Sequence, residues 1–113
     1  MNCNISVSPQ FIKELKRLSK RYKSIKEDVK TLGNSLRENP LQGTDLGKGL
    51  RKVRMSISSK GKGKSGGARV ITYTVILANI ASEVKLLTIY DKSECDNISD
   101  RELQDLLRKY VTD

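Results

Sequence analysis

Leu50-Arg-Lys-Val-Arg-Met-Ser-Ile57 and Ala68-Arg-Val-Ile-Thr-Tyr-Thr-Val-Ile-Leu-Ala78, separated by a run centred on Lys60-Gly-Lys-Gly-Lys-Ser-Gly-Gly67, decide the architecture. The first segment alternates: Val53, Met55 and Ile57 fall on one face, Lys52, Arg54 and Ser56 on the other. That is a strand with one buried and one wet side. The second is β-branched and aromatic and apolar on both faces, which marks a central strand. The glycine- and lysine-rich residues 58–67 between them read as a loop without regular structure, and the two strands pair antiparallel through it. Residues 83–91, Glu-Val-Lys-Leu-Leu-Thr-Ile-Tyr-Asp, follow a turn at Asn79–Ser82 and complete a three-stranded meander.

Upstream, residues 4–8 alternate and read as a short strand. Ser8-Pro9 supplies an N-cap and a proline at the first helical position, and Phe11, Leu15, Leu18 and Tyr22 recur at helical spacing, so a helix is expected over 9–22. Ser24-x-x-Glu27 has the capping-box pattern and opens a second helix striped by Ile25, Val29, Leu32 and Leu36, which Asn39-Pro40 ends. The two helices form an antiparallel hairpin. Residues 41–49 hold three glycines and read as a loop. Ser99-x-x-Glu102 opens a last helix with Leu103, Leu106, Leu107 and Tyr110 on one side. The expected order is β-α-α-β-β-β-α. The fold class is α+β, a small antiparallel sheet with an N-terminal helical hairpin and a C-terminal helix. All helices are expected on one face, with the other face free. At 113 residues the chain reads as one domain, 1–113.

No acidic residue lies between Asp45 and Glu83, a span that contains Lys48, Arg51, Lys52, Arg54, Lys60, Lys62, Lys64 and Arg69. The formal charge is +9, and these eight cations account for nearly all of it. A one-sided positive field of this density points to a polyanionic partner. Neither a transmembrane helix nor a signal peptide is visible, and the expected location is the cytoplasm. There Cys3 and Cys95 are expected as free thiols. Histidine is absent, so His-based triads, the usual zinc sites and His-pair nucleases are excluded. No metal or other cofactor is expected. Gly63-Lys64-Ser65 ends like a phosphate-binding P-loop, but Ser58 stands where the first glycine belongs and a strand follows where a helix is required. A flexible basic arm along a nucleic-acid backbone fits this loop better.

Lys52 and Arg54 are two apart on a strand and point the same way, about 7 Å apart, a spacing suited to one phosphodiester or two neighbouring phosphates. Arg69 opens the next strand and offers a bidentate fork to phosphate. Tyr90 and Lys92 end the strand after that. These five side chains line one concave sheet face in this reading. The plainer alternative is a set of ordinary solvated charges. Against it stands the lack of opposing acids, because like charges facing each other destabilise a sheet. Aromatic residues make up 4% with no Trp, so base stacking is confined to local partners such as Tyr73 or Tyr90.

The segment Gly49 to Tyr73 resembles the central segment of RelE/HigB-type toxins of bacterial toxin–antitoxin pairs. Leu87-Thr-Ile-Tyr-Asp-Lys-Ser-Glu94, followed by Ile98-Ser-Asp-x-Glu102, resembles the final strand and last helix of the same family. The resemblance covers nearly the whole chain. It implies a RelE-like fold and a ribosome-dependent messenger-RNA endonuclease (an mRNA interferase) that inhibits translation. In that reaction the 2′-hydroxyl attacks the adjacent phosphate without a metal. It also implies a cognate antitoxin, usually a small helix-turn-helix protein, with the ribosome and mRNA as further partners. Carried over by position, Lys52, Arg54, Arg69 and Lys92 match its basic residues, and with Tyr90 from the same sheet face they form the expected catalytic set. Lys48, Arg51, Lys60, Lys62, Lys64 and Tyr73 form the RNA- and ribosome-binding set. The RelE pattern has an arginine directly after the lysine of the last strand, where this chain has Ser93. Two other readings remain open: a ParE-like gyrase inhibitor, whose branch shares the fold but generally lacks the basic strand pair, and a non-catalytic basic nucleic-acid-binding module.

Overall fold

The computed structural model describes residues 2–77 and 81–111. The chain runs β1 (Asn2–Val7), α1 (Pro9–Ser19), α2 (Ile25–Glu38), β2 (Thr44–Gly47), β3 (Leu50–Met55), β4 (Ala68–Leu77), β5 (Ala81–Asp91) and α3 (Asp100–Tyr110), with a 3-10 turn at Ser58–Lys60. The α+β class, the helical hairpin, the meander and the C-terminal helix are as expected. The first part of the expected turn at Asn79–Ser82 lies outside the described residues, and Ala81 and Ser82 already belong to β5.

The sheet has five strands in the order β1-β5-β4-β3-β2. The meander β2 to β5 is antiparallel, whereas β1 joins the far edge parallel to β5. Ser8 makes the junction between β1 and α1. Its N–H donates to Leu86 O at 2.9 Å, its hydroxyl donates to Leu87 O at 2.6 Å, and the same hydroxyl caps α1 by accepting from Phe11 N at 3.0 Å. The expected loop at 41–49 instead contains β2, four residues paired to β3 through the backbone, with Thr44 opposite Lys52 and Asp45 opposite Arg51.

Helices cover both faces, which corrects the expectation of one free face. α1 and α2 bury Phe11, Leu18, Ile25, Leu32 and Leu36 against Val53, Met55, Val70, Val84, Leu86 and Ile89. On the other side Leu106 of α3 packs with Leu50, Ile71 and Leu87, joined by Leu103, Leu107 and Tyr110. The apolar stripe of α3 has to be buried, and β4 is apolar on both faces, so the second layer follows from the hydrophobic effect. A bulge in β5 serves both layers. Ile71 faces Thr88 while Thr72 faces Leu86, so Leu87 is the extra residue. The alternation therefore changes phase at Leu87. Val84, Leu86 and Ile89 all reach the first core, while Leu87 and Tyr90 join the second.

Candidate active site

Arg54 of β3 lies directly opposite Arg69 of β4, and Arg69 lies directly opposite Tyr90 of β5. Cross-strand partners share a face. The face of this row also carries Lys52, which is paired with Ile71. It is the face on which α3 packs farther along, since Ile71 and Tyr90 both belong to the α3 core. Four of the five expected catalytic side chains therefore stand on one side of three adjacent strands. Lys92 follows the end of β5, and its N–H donates to Gly67 O at 3.0 Å, which places it beside the loop that joins β3 and β4.

Arg69 is 6% exposed. Its guanidinium donates to the carbonyls of Lys64 (3.0 Å), Ala68 (3.2 Å) and Ser65 (3.2 Å). Among the described residues no carboxylate pairs with Lys52, Arg54, Arg69 or Lys92. Carbonyl oxygens accept these three hydrogen bonds from Arg69 but leave its charge uncompensated, and an exposed second arginine stands opposite it. Burying a cation without a counter-charge is costly, and so is facing two like charges across a ladder. An anion at Arg54 relieves both. Lys52 is held by Asn97, whose side-chain oxygen accepts from its Nζ at 3.1 Å.

The loop at 58–67 is a folded structure and not the flexible arm expected of its composition. Ser58 donates its N–H (2.9 Å) and hydroxyl (2.6 Å) to Asp28 of α2. Ser59 N donates to Ser24 Oγ at 2.8 Å. Ser24 in turn spends its hydroxyl on Asp28 at 2.7 Å and makes no cap bond, so the expected capping box at Ser24 is not formed. Gly67 closes the loop. A Cβ there would stand 2.1 Å from Met55 O, an approach that only glycine allows.

Asp91, which has no exposed surface, receives Lys60 Nζ at 2.7 Å, Tyr22 Oη at 2.5 Å and Ser93 N at 3.0 Å. Burial by itself would raise the Asp91 carboxyl, but these donors outweigh it and hold the group well below the usual carboxylate range. The bond to Asp91 pushes the Tyr22 hydroxyl up. Lys60, placed in the RNA-binding set from sequence, is thus an internal ion-pair partner, with its Nζ also 5.6 Å from the Tyr22 ring centre.

The other expected contacts divide. Lys62 and Lys64 are exposed on the loop, and Lys64 shares a cleft with Arg54. Arg51 faces the opposite side from Lys52, alternating along β3, and lies 3.9 Å from Asp45. Lys48 sits in the β2–β3 turn with φ 55°. Tyr73 packs in the α3 core, four residues along β4 from Arg69, so the row does not include it. The Tyr90 hydroxyl is buried, and burial pushes it up from its ordinary value. It is an undissociated phenol at neutral pH.

Sequence reasoning missed Asp28, Asp91, Tyr22 and Asn97, which position the basic groups. One signal was present: Asp91 follows Ile89 by two residues, and an acid in phase with a core position requires a buried partner. A family model described as the RelE toxin of the RelE/RelB toxin–antitoxin system matches residues 10–112.

Proposed function

Since this chain belongs to the RelE toxin family, we propose that it is the toxin of a toxin–antitoxin pair and that it inhibits translation by cutting messenger RNA on the ribosome. The observation that carries the catalytic part is the Arg54–Arg69 cross-strand pair, two cations in register with no carboxylate paired to either among the described residues.

The ribose 2′-oxygen attacks the adjacent phosphorus, the bond from phosphorus to the 5′-oxygen breaks, and the products are a 2′,3′-cyclic phosphate and a 5′-hydroxyl end. The 2′-proton leaves to a base, and the departing oxygen takes one up. Negative charge grows on the phosphorane oxygens, and prepositioned cations lower the barrier at that point. In this reading Arg54, exposed and without an ion-pair partner among the described residues, grips the scissile phosphate. Arg69 backs it with buried charge, while Lys52 and Lys92 flank it. Tyr90, with its raised hydroxyl, is a neutral group of this site and not its base. The chain brings few aromatic side chains to hold a codon, which fits a substrate presented by the ribosome. The cognate antitoxin silences it in this reading, and the chemistry of the face calls for an acidic covering segment.

Arg54→Ala is the cleaner test, because Arg69→Ala also removes three loop hydrogen bonds. Removing one transition-state donor costs about 10²- to 10³-fold. Expression of Arg54→Ala should lose growth arrest, and cut sites on translated messages should vanish while the thermal melt is unchanged. Full toxicity of that variant would refute the site. DNA damage with translation intact would favour gyrase inhibition.

A further inference from the structure

The edge of β3 opens a second site. β2 pairs with β3 only as far as Lys52, so the outer flank of Val53–Met55 has no strand neighbour among the described residues. Between this flank and α2 lies a cleft of about 280 Å³, near the lower end of ligand-pocket sizes. Arg54 and Lys64 border it on the sheet side, and Thr31, Ser35 and Ser56 add hydroxyls.

We propose that this cleft binds the sugar–phosphate of the RNA nucleotide adjoining the one gripped at the Arg54–Arg69 row. The inference rests on the nuclease reading above and extends it to the path of the strand. Three observations carry it. First, among the described residues neither Arg54 nor Lys64 is spent on a carboxylate. The acid in the wall, Asp28, is turned to the Ser24 hydroxyl and both donors of Ser58; these neutral partners leave its charge in place, but the two cations outnumber it and the cleft stays net positive. Second, Lys64 is placed there by the site itself. Its carbonyl accepts from Arg69, the cross-strand partner of Arg54, so the loop that buries Arg69 also sets Lys64 at the cleft. Third, Arg54 belongs to both places, so one strand passing over the β3 edge meets Arg69 on the sheet face and Lys64 beyond it. Cations for phosphate with hydroxyls for a ribose 2′-oxygen make up the chemistry of an RNA backbone, and no base is read.

The test measures binding of a 2′-O-methylated RNA hexanucleotide, which cannot be cut, by fluorescence anisotropy. The same oligomer carries 4-thiouridine for crosslink mapping. Ser35→Trp fills the cleft from exposed helix surface, and Lys64→Glu reverses its charge from the loop. Each should weaken binding at least fivefold with an unchanged melt, and crosslinks should fall on residues 31–35 or 56. Wild-type affinity in both folded variants, or crosslinks elsewhere, overturns the cleft and leaves the nuclease reading standing. No binding by the unmodified chain, or weakened antitoxin binding with RNA affinity intact, also overturns it. Weakened RNA binding in a protein that cuts no message upholds the cleft and removes the nuclease reading.

Discussion

Replacing Asp91 by Asn removes one charge while nearly preserving shape. The Lys60 ammonium, whose side chain is 12% exposed, then loses the carboxylate it pairs with, and the Tyr22 hydroxyl loses an anionic acceptor. Breaking a buried pair from one side costs about 3–5 kcal/mol, and the lower end applies here because Asn still accepts hydrogen bonds. At roughly 4 °C per kcal/mol for a domain of this size, a loss of about 3 kcal/mol lowers the melting temperature by roughly 12 °C. Lys60→Met in the Asp91→Asn background removes the stranded cation and should recover part of the loss, with a coupling of about 1–2 kcal/mol. Urea titrations of the four proteins give the cycle. The pH dependence supplies a further check. The Asp91 carboxyl is depressed in the folded state, so its contribution is full above the ordinary aspartate value of about 3.9 and is lost as pH falls from there through the folded value. The gap between wild type and Asp91→Asn should therefore narrow in acid and stay constant from pH 5 to 7. A loss under 1 kcal/mol, an additive cycle, or a gap that widens in acid would refute the reasoning.

Gly67→Ala places a methyl 2.1 Å from Met55 O and should cost at least about 1–3 kcal/mol by chemical denaturation, because backbone cannot yield cheaply there. Gly61→Ala, with open space around its Cβ, should cost less through packing and serves as the comparison, although its φ of +72° adds strain. Leu106→Ala empties the centre of the α3 core and should cost about 2–5 kcal/mol, with earlier hydrogen exchange in α3 than in α1. Burial holds the Tyr90 hydroxyl protonated and it takes up no proton in this reading, so Tyr90→Phe should leave the shape of the pH–rate profile of cleavage unchanged.

Strand alternation made the meander legible. The shared side of Lys52 and Arg54 was legible too, because side-chain period is a local property. The strand β2 was not, since Thr44-Asp-Leu-Gly47 carries no apolar alternation to announce its pairing with β3. The second helix layer was written in the two-sided apolar run of β4, but which face α3 takes is a matter of tertiary packing. Glycine and lysine in the loop announced exposure and concealed order. Arg69 and Asp91 organise it through contacts whose partners sequence does not mark, and the Lys60–Asp91 pair spans 31 residues. Ser24 kept its place as N-cap but lost its expected partner to Asp28, one turn on.

The extra residue at Leu87 makes β5 a counting device. Everything before it keeps one parity against β4 and everything after it the opposite one. Loss of that one residue would merge the two registers into one regular ladder, with Leu86, Tyr90 and Asp91 still on their own faces and the α3 core short of one buried side chain. The extra residue therefore supplies the α3 side with one more apolar side chain than an unbroken strand of the same span could offer it.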